Sequence, residues 1–241
     1  AYMVMERIKG QNVKQFVESQ GPMEPEHVLA IMKPILYSVG EIHKEGLLHR
    51  DISPDNIVLT TDNKGVLIDF GAARFSETQD NKTMTVFFKR GYSAEEQYVE
   101  KSHNGAYTDV YGACATMYFM LTGIRPDESV KRLIRDQVVP LWRFKDIGLK
   151  RYKEQVIMRG MAVDAKKRYS SMDDLCAALY SNGKSTGKWV KYGGIVCLLA
   201  ACAATAIAQC SFFEKEDTTT EKSSSARVIC LLYTSPSPRD S

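Results

Sequence analysis

The apolar positions along the chain form three kinds of run. Val28, Ile31, Met32, Ile35, Leu36, Val39 and Ile42 recur at three- and four-residue spacing, which predicts a helix with one buried stripe. Pro25-Glu26 suits its first turn, because the N–H that proline lacks has no partner there. Pro34 inside the run is expected to kink it locally, and Gly46 to cap its end. A shorter helix opens with Val13, Phe16 and Val17 and stops at Gly21-Pro22. The second kind of run is short and continuous. Tyr2 to Glu6 reads as the end of a buried strand that breaks at Arg7-Ile8-Lys9-Gly10. Asn56 to Leu59 and Val66 to Ile68 are joined by the turn-rich Thr60 to Gly65, which predicts a hairpin. The third kind is apolar all round. Thr108-Asp109-Val110-Tyr111-Gly112 heads one such helix, which ends at Gly123, and the stretch from Tyr192 to Phe213 is another. Leu149 to Ala162 and Ser171 to Tyr180 predict two further helices, the second capped by Ser171 with Asp173-Asp174 in its first turn.

Composition narrows the class. A chain of 241 residues, 44% hydrophobic and 25% charged, can bury one substantial core. A net charge of +3 is too slight to argue for nucleic acid as a partner. The six cysteines have neither metal-type nor paired spacing, which fits small buried thiols and a reducing, cytosolic home for the main domain.

The chemistry is concentrated at the predicted hairpin. His49-Arg50-Asp51-Ile52-Ser53-Pro54-Asp55-Asn56 precedes its first strand and Asp69-Phe70-Gly71 follows its second. The hairpin therefore brings Asn56 and Asp69 out on the same side, where a metal could be shared. The spacing H-R-D-x-x-x-x-N, then D-F-G, resembles the catalytic loop and metal-binding turn of protein kinases, specifically the bacterial, eukaryotic-like Ser/Thr protein kinases. Gly91 to Tyr98 resembles that family's A-P-E segment, with Ala94 in place of the proline, and the helix headed by Thr108-Asp109 resembles its central buried helix.

The resemblance implies a mostly α (α+β) fold, the large lobe of a kinase with its small hairpin at the catalytic loop, and ATP and Mg2+ as cofactors. Asp51 would accept the hydroxyl proton, while Asn56 and Asp69 would hold magnesium through the hard oxygen donors it prefers. Met5 would take the gatekeeper position, the backbone of Glu6 and Ile8 would bond the adenine edge, Asn12 would face the ribose and Val58 would form the adenine floor. Arg50 would gather the activation loop when that loop is phosphorylated. Thr83 and Thr85 are the best placed acceptors, with Ser76 and Thr78 also available, and all four can equally be read as solvated loop residues. Dimerisation would serve such loop phosphorylation. Asp109 would be structural, and Arg168 would form a buried ion pair with the A-P-E glutamate, taken as Glu95.

Two positions depart from the family pattern. Ser53 stands where Ser/Thr kinases carry a lysine that meets the transferring phosphate, and Lys89 stands where they carry a threonine that bonds the catalytic aspartate and that lysine. The expectation is that the pair is exchanged, with the Lys89 ammonium reaching the Asp51 site from the other side. The alternative is that Lys89 is a surface cation selecting acidic substrates.

The ends complete the expected organisation. Residues 1–10 would be the last small-lobe strand and hinge, 11–180 the large lobe, 181–188 a juxtamembrane linker, and 189–213 a transmembrane helix. Residues 214–229 would begin an external stalk, and Cys230 to Ser241 resembles a translated sequencing adapter, with a natural Ser/Pro-rich tail as the alternative. The apolar stretch matches a span of about 20 residues, with a buried core helix as the other reading. Lys184, Lys188 and Lys191 before it and Glu214, Glu216 and Asp217 after it place the kinase domain on the cytoplasmic side of the cell membrane as a single-pass protein. Because the Gly-rich loop and strand lysine would lie upstream of Ala1, the chain as given is expected not to phosphorylate its protein substrates. Two rival readings stand beside this one. The first is a pseudokinase that relays signals by binding, with Ser53 as a sign of decay. The second is a small-molecule phosphotransferase of the aminoglycoside or choline type, which generally lacks the HRD arginine and the A-P-E-like segment.

Overall fold

The computed structural model describes residues 8–69, 74–75, 88–99, 104–145 and 147–181. Helix α3 (Ala106–Thr122) forms the centre, with Thr108 through Leu121 buried without exception. A helix this apolar has no face for water, and it is covered by α1 (Val13–Gln20), α2 (Pro25–Lys44), α5 (Arg151–Gly160) and α6 (Met172–Tyr180). The largest side chains sealed among these helices include Tyr111, Met117, Met32 and Ile157. Met117, Met32 and Ile157 each contribute roughly 1.5–3 kcal/mol relative to an exposed state. Gly123 ends α3 in the left-handed conformation at φ 69°, and its N–H returns to the Phe119 carbonyl.

Helix α2 buries Val28, Ile31, Met32, Ile35, Leu36 and Val39 as its periodicity predicts, and the helix is continuous across Pro34. It is tied to α6 by Tyr180, whose hydroxyl donates to the Leu29 carbonyl at 3.0 Å. Ser171 caps α6, accepting from the Asp174 N–H. A short helix α4 (Ser129–Ile134) was not anticipated; six residues with only Ser129 and Arg132 buried carry too little periodicity to read.

The predicted hairpin is present as β3 (Ile57–Thr60) and β4 (Gly65–Leu67). A third strand, β1 (Gly10–Asn12), joins it, pairing antiparallel with β3 so that Asn12 lies opposite Val58. The sequence suggested only a connector there. Gly10 fits because a Cβ would strike the Leu59 carbonyl. Strand β2 (Leu47–Leu48) leads into the catalytic-type loop and pairs with β5 (Arg74–Phe75). Among the described residues no helix is long and apolar enough to cross a membrane; residues 189–213 lie outside them.

Candidate active site

The loop from His49 to Asn56 is fastened to α3 by one carboxylate. Asp109, almost wholly buried, accepts the His49 N–H at 2.8 Å and the Arg50 N–H at 2.7 Å, and His43 Nε2 donates to it at 2.7 Å. Arg50 sits at φ 62°, a left-handed conformation that is unfavourable for a residue with a Cβ. The paired bonds to Asp109 hold it there, and Gln97 Nε2 donates to the Arg50 carbonyl at 2.8 Å from the other side. Gly112 lets the loop lie directly on α3, since a Cβ would sit 2.9 Å from the Ile52 carbonyl oxygen.

His49 is fully buried, and its Nδ1 accepts the Asp51 N–H at 3.3 Å. That bond assigns the ring proton to Nε2. Desolvation holds the imidazole below its ordinary range and keeps it neutral, outweighing the nearby carboxylates.

Asp51 points its carboxylate into a small polar cluster. Asn56 Nδ2 donates both to the Asp51 carbonyl at 2.9 Å and to Asp51 Oδ2 at 2.8 Å. Lys89 Nζ lies 3.3 Å from Asp51 Oδ2 and donates to Ser53 Oγ at 3.1 Å and to Asn56 Oδ1 at 2.8 Å. Burial lifts the Asp51 carboxyl above the usual carboxylate range, and Lys89 and Asn56 draw it part of the way back. Lys89 is held at its backbone as well. Its N–H donates to Ser93 Oγ at 3.0 Å, and its carbonyl accepts from the N–H groups of Tyr92 and Ser93 at 2.9 Å each. Ser129 Oγ on α4 in turn donates to the Ser93 carbonyl.

Asp69 follows β4 at φ 66°, next to Ile68, whose N–H donates to the Asn56 carbonyl at 2.8 Å. The hairpin thus delivers Asn56 and Asp69 to one edge. Their amide and carboxylate oxygens are hard donors suited to Mg2+, and Asn56 Oδ1 already faces a cation in Lys89. Among the described residues no three His, Cys, Asp or Glu side chains are grouped to hold a metal by protein ligands alone. A metal here would draw the rest of its shell from substrate oxygens and water.

The nucleotide-side expectations fall partly outside the described residues: Met5 and Glu6 do, and so do Thr83, Thr85, Ser76 and Thr78. Ile8 and Val58 are half-buried. Asn12 has a role the sequence did not suggest, as the N-cap of α1, its Oδ1 accepting the Gln15 N–H at 2.8 Å. Lys14, two residues after that cap, pairs with Asp55 at 3.2 Å.

One expectation is corrected. Arg168 pairs with Glu96 and not with Glu95, through Nη1 to Oε1 at 2.7 Å and Nη2 to Oε2 at 3.0 Å. Glu95–Tyr98 form a 3-10 turn, in which neighbouring side chains point about 120° apart, so only one of two adjacent glutamates can face Arg168. Glu96 is buried and also accepts from Thr108 Oγ1 at 2.8 Å, while Glu95 is half-exposed. Within Ser93-Ala94-Glu95-Glu96, Glu95 rather than Ala94 therefore occupies the proline position of an A-P-E segment.

A family model described as protein kinase domain matches residues 1–180. Serine/threonine-protein kinase PknE of Mycobacterium tuberculosis (strain ATCC 25618 / H37Rv) is 32% identical over 187 residues, covering 75% of this chain and 32% of the relative. Serine/threonine-protein kinase F of Synechocystis sp. (strain ATCC 27184 / PCC 6803 / Kazusa) is 29% identical over 192 residues, covering 78% of this chain and 38% of the relative. The chain thus spans about a third of the length of these curated relatives. Among solved structures, the apo form of PpkA-294 superposes with a TM-score of 0.60 at 29% identity, over 72% of this chain and 61% of that one.

Proposed function

The chain belongs to the protein kinase family, and from that premise we propose that it acts as a Ser/Thr protein kinase, moving the terminal phosphate of ATP to serine and threonine hydroxyls of proteins. The observation that carries this reading is the cluster at Asp51. A partly exposed carboxylate on an anchored loop, raised in pKa by burial and steadied by Asn56, is suited to orient a hydroxyl and take its proton. Asn56 Oδ1 and Asp69 are the residues proposed to hold magnesium, which when bound neutralises charge on the phosphate oxygens. Met5, Val58 and the backbone of Glu6 and Ile8 are proposed for the adenine, and Asn12 for the ribose. Arg50 is proposed to pair with a phosphate on Thr83 or Thr85, and dimerisation to serve its placement there.

Radiolabelled phosphate transfer by the full-length protein to a generic Ser/Thr peptide tests the reading. Transfer that is lost in Asp51→Asn supports it, and transfer equal to wild type in that variant contradicts it. A nucleotide-binding relay without transfer is the second reading, favoured by the neutral Ser53 in the loop. It predicts ATP binding with no label on any peptide, in wild type and variant alike.

We further propose that residues 189–213 span the cell membrane once, with the kinase domain on the cytoplasmic side. The support is the uncharged apolar run with Lys184, Lys188 and Lys191 before it and Glu214, Glu216 and Asp217 after it. Resistance of the membrane-bound protein to carbonate extraction is the expected result, and release into the soluble fraction contradicts it.

A further inference from the structure

The geometry points to Lys89 as the catalytic cation of phosphate transfer, delivered from the segment after the activation loop to the place beside Asp51 that Ser53 leaves open. The assignment rests on the kinase reading above and names the residue that completes its site. Phosphoryl transfer develops charge on the oxygens of the moving group, and a fixed donor beside the attacking hydroxyl is where that charge is best met. Within the loop from His49 to Asn56 the only cationic side chain is Arg50. Ser53 is wholly buried, and its short side chain leaves room for another residue's ammonium to reach the carboxylate.

Lys89 Nζ occupies that room. It touches the base at 3.3 Å, the serine at 3.1 Å and the proposed metal-ligating amide oxygen at 2.8 Å, so a single ammonium meets three groups of the site. Its side chain is 27% exposed, which leaves one face open to a substrate. Its backbone is fixed by both N–H and carbonyl within the Lys89–Ser93 turn, where Gly91 at φ 85° admits the approach of the Pro126 carbonyl. A surface cation that selects acidic substrates would need none of these inward contacts. Among the described residues, Lys14 also brings an ammonium to the loop, but it pairs with Asp55 and is 45% exposed.

In the step itself, the substrate hydroxyl oxygen uses a lone pair to form the new bond to the terminal phosphorus. The bond from that phosphorus to the bridging oxygen breaks, and its electron pair leaves with ADP. The hydroxyl proton passes to the Asp51 carboxylate. Lys89 keeps its three protons throughout and donates a hydrogen bond to an oxygen of the moving phosphoryl group.

The test compares Lys89→Met, Lys89→Arg and Asp51→Asn in the full-length protein, with two readouts. The first is kcat on a neutral peptide. Lys89→Met should lower it about 100-fold, as loss of one charged donor at a reacting oxygen does, and Lys89→Arg should recover at least part of that loss. The second is direct calorimetric binding. Lys89→Met should weaken a non-hydrolysable ATP analogue about threefold to tenfold and leave ADP unchanged, because only the former carries the terminal phosphate. Full kcat in Lys89→Met alongside a dead Asp51→Asn overturns the assignment and leaves the kinase reading standing. A loss confined to acidic peptides also overturns it, by making Lys89 a substrate selector. No transfer by the wild-type protein overturns the kinase reading and the assignment together.

Discussion

Lys89 and Glu96 lie on one stretch of chain, and the ion pairs they form behave in opposite ways. Glu96 and Arg168 are sealed: the guanidinium is 0% exposed and the carboxylate 6%. Arg168 also donates to the carbonyls of Ala162, Tyr107 and Val163, and its cation lies 4.9 Å from the centre of the Tyr111 ring. Every donor has a fixed acceptor, so the pair can only hold structure. Asp51 and Lys89 are 19% and 27% exposed, and the ammonium is shared among three oxygens of different strength. One set of groups is saturated and the other is poised for exchange. The difference teaches that burial and saturation, more than the presence of opposite charges, separate an ion pair that can only hold structure from one proposed to take part in phosphate transfer.

The largest expected effect follows from the sealed pair. Glu96→Ala leaves a buried guanidinium without its counter-ion, at a cost of about 3–5 kcal/mol. Calorimetric melting should fall by roughly 6–20 °C. A variant that melts like wild type would erase the contrast between the pairs.

Asp109→Asn should come next. The amide offers one acceptor oxygen where the carboxylate accepted both the His49 and Arg50 N–H groups, and its NH2 would confront a second donor. A loss of about 1.5–3 kcal/mol is expected. Hydrogen exchange should rise selectively at the amides of His49 and Arg50.

A smaller effect is expected from His49. Burial depresses the imidazole, helped by Lys89 and opposed by Asp109, Asp51 and Asp69. The folded protein therefore resists a proton that the unfolded chain takes up near pH 6.5. The contribution is fully present above that pH and is lost as the pH falls below it. Urea melts from about pH 7.5 to about pH 5 should show this decline in wild type and a flatter curve in His49→Phe. Glu95→Ala should be the mildest change of all, within about 0.5 kcal/mol of wild type. A loss at Glu95 as large as at Glu96 would contradict the contrast drawn between these neighbours.

What could be read from the sequence depended on whether spacing alone settles position. The stripe of α2 was legible because periodicity dictates which face is buried, α3 because an all-apolar helix leaves no face for water, and the hairpin because its two short apolar runs flank a turn. Asn56 and Asp69 were then brought to one edge by that hairpin. Glu95 and Glu96 defeat such reasoning. They carry the same chemistry at adjacent positions, and only the backbone of a 3-10 turn decides which faces Arg168. His43 and Gln97 escaped notice because each reaches the loop from another element, at a distance in sequence that no local pattern records. The cap at Asn12 was masked by a competing expectation, although Gln15 three residues on is the partner a capping box requires. Lys89 stands out in the sequence only because Ser53 leaves a gap in the kinase pattern.

The most direct measurement is a crystal structure of the full-length protein or its kinase domain with a non-hydrolysable ATP analogue and Mg2+. The account predicts Lys89 Nζ at about 2.7–3.2 Å from an oxygen of the terminal phosphate, with Asp51 alongside. A Lys89 side chain turned to solvent, with the terminal phosphate met by some other cation, would contradict it.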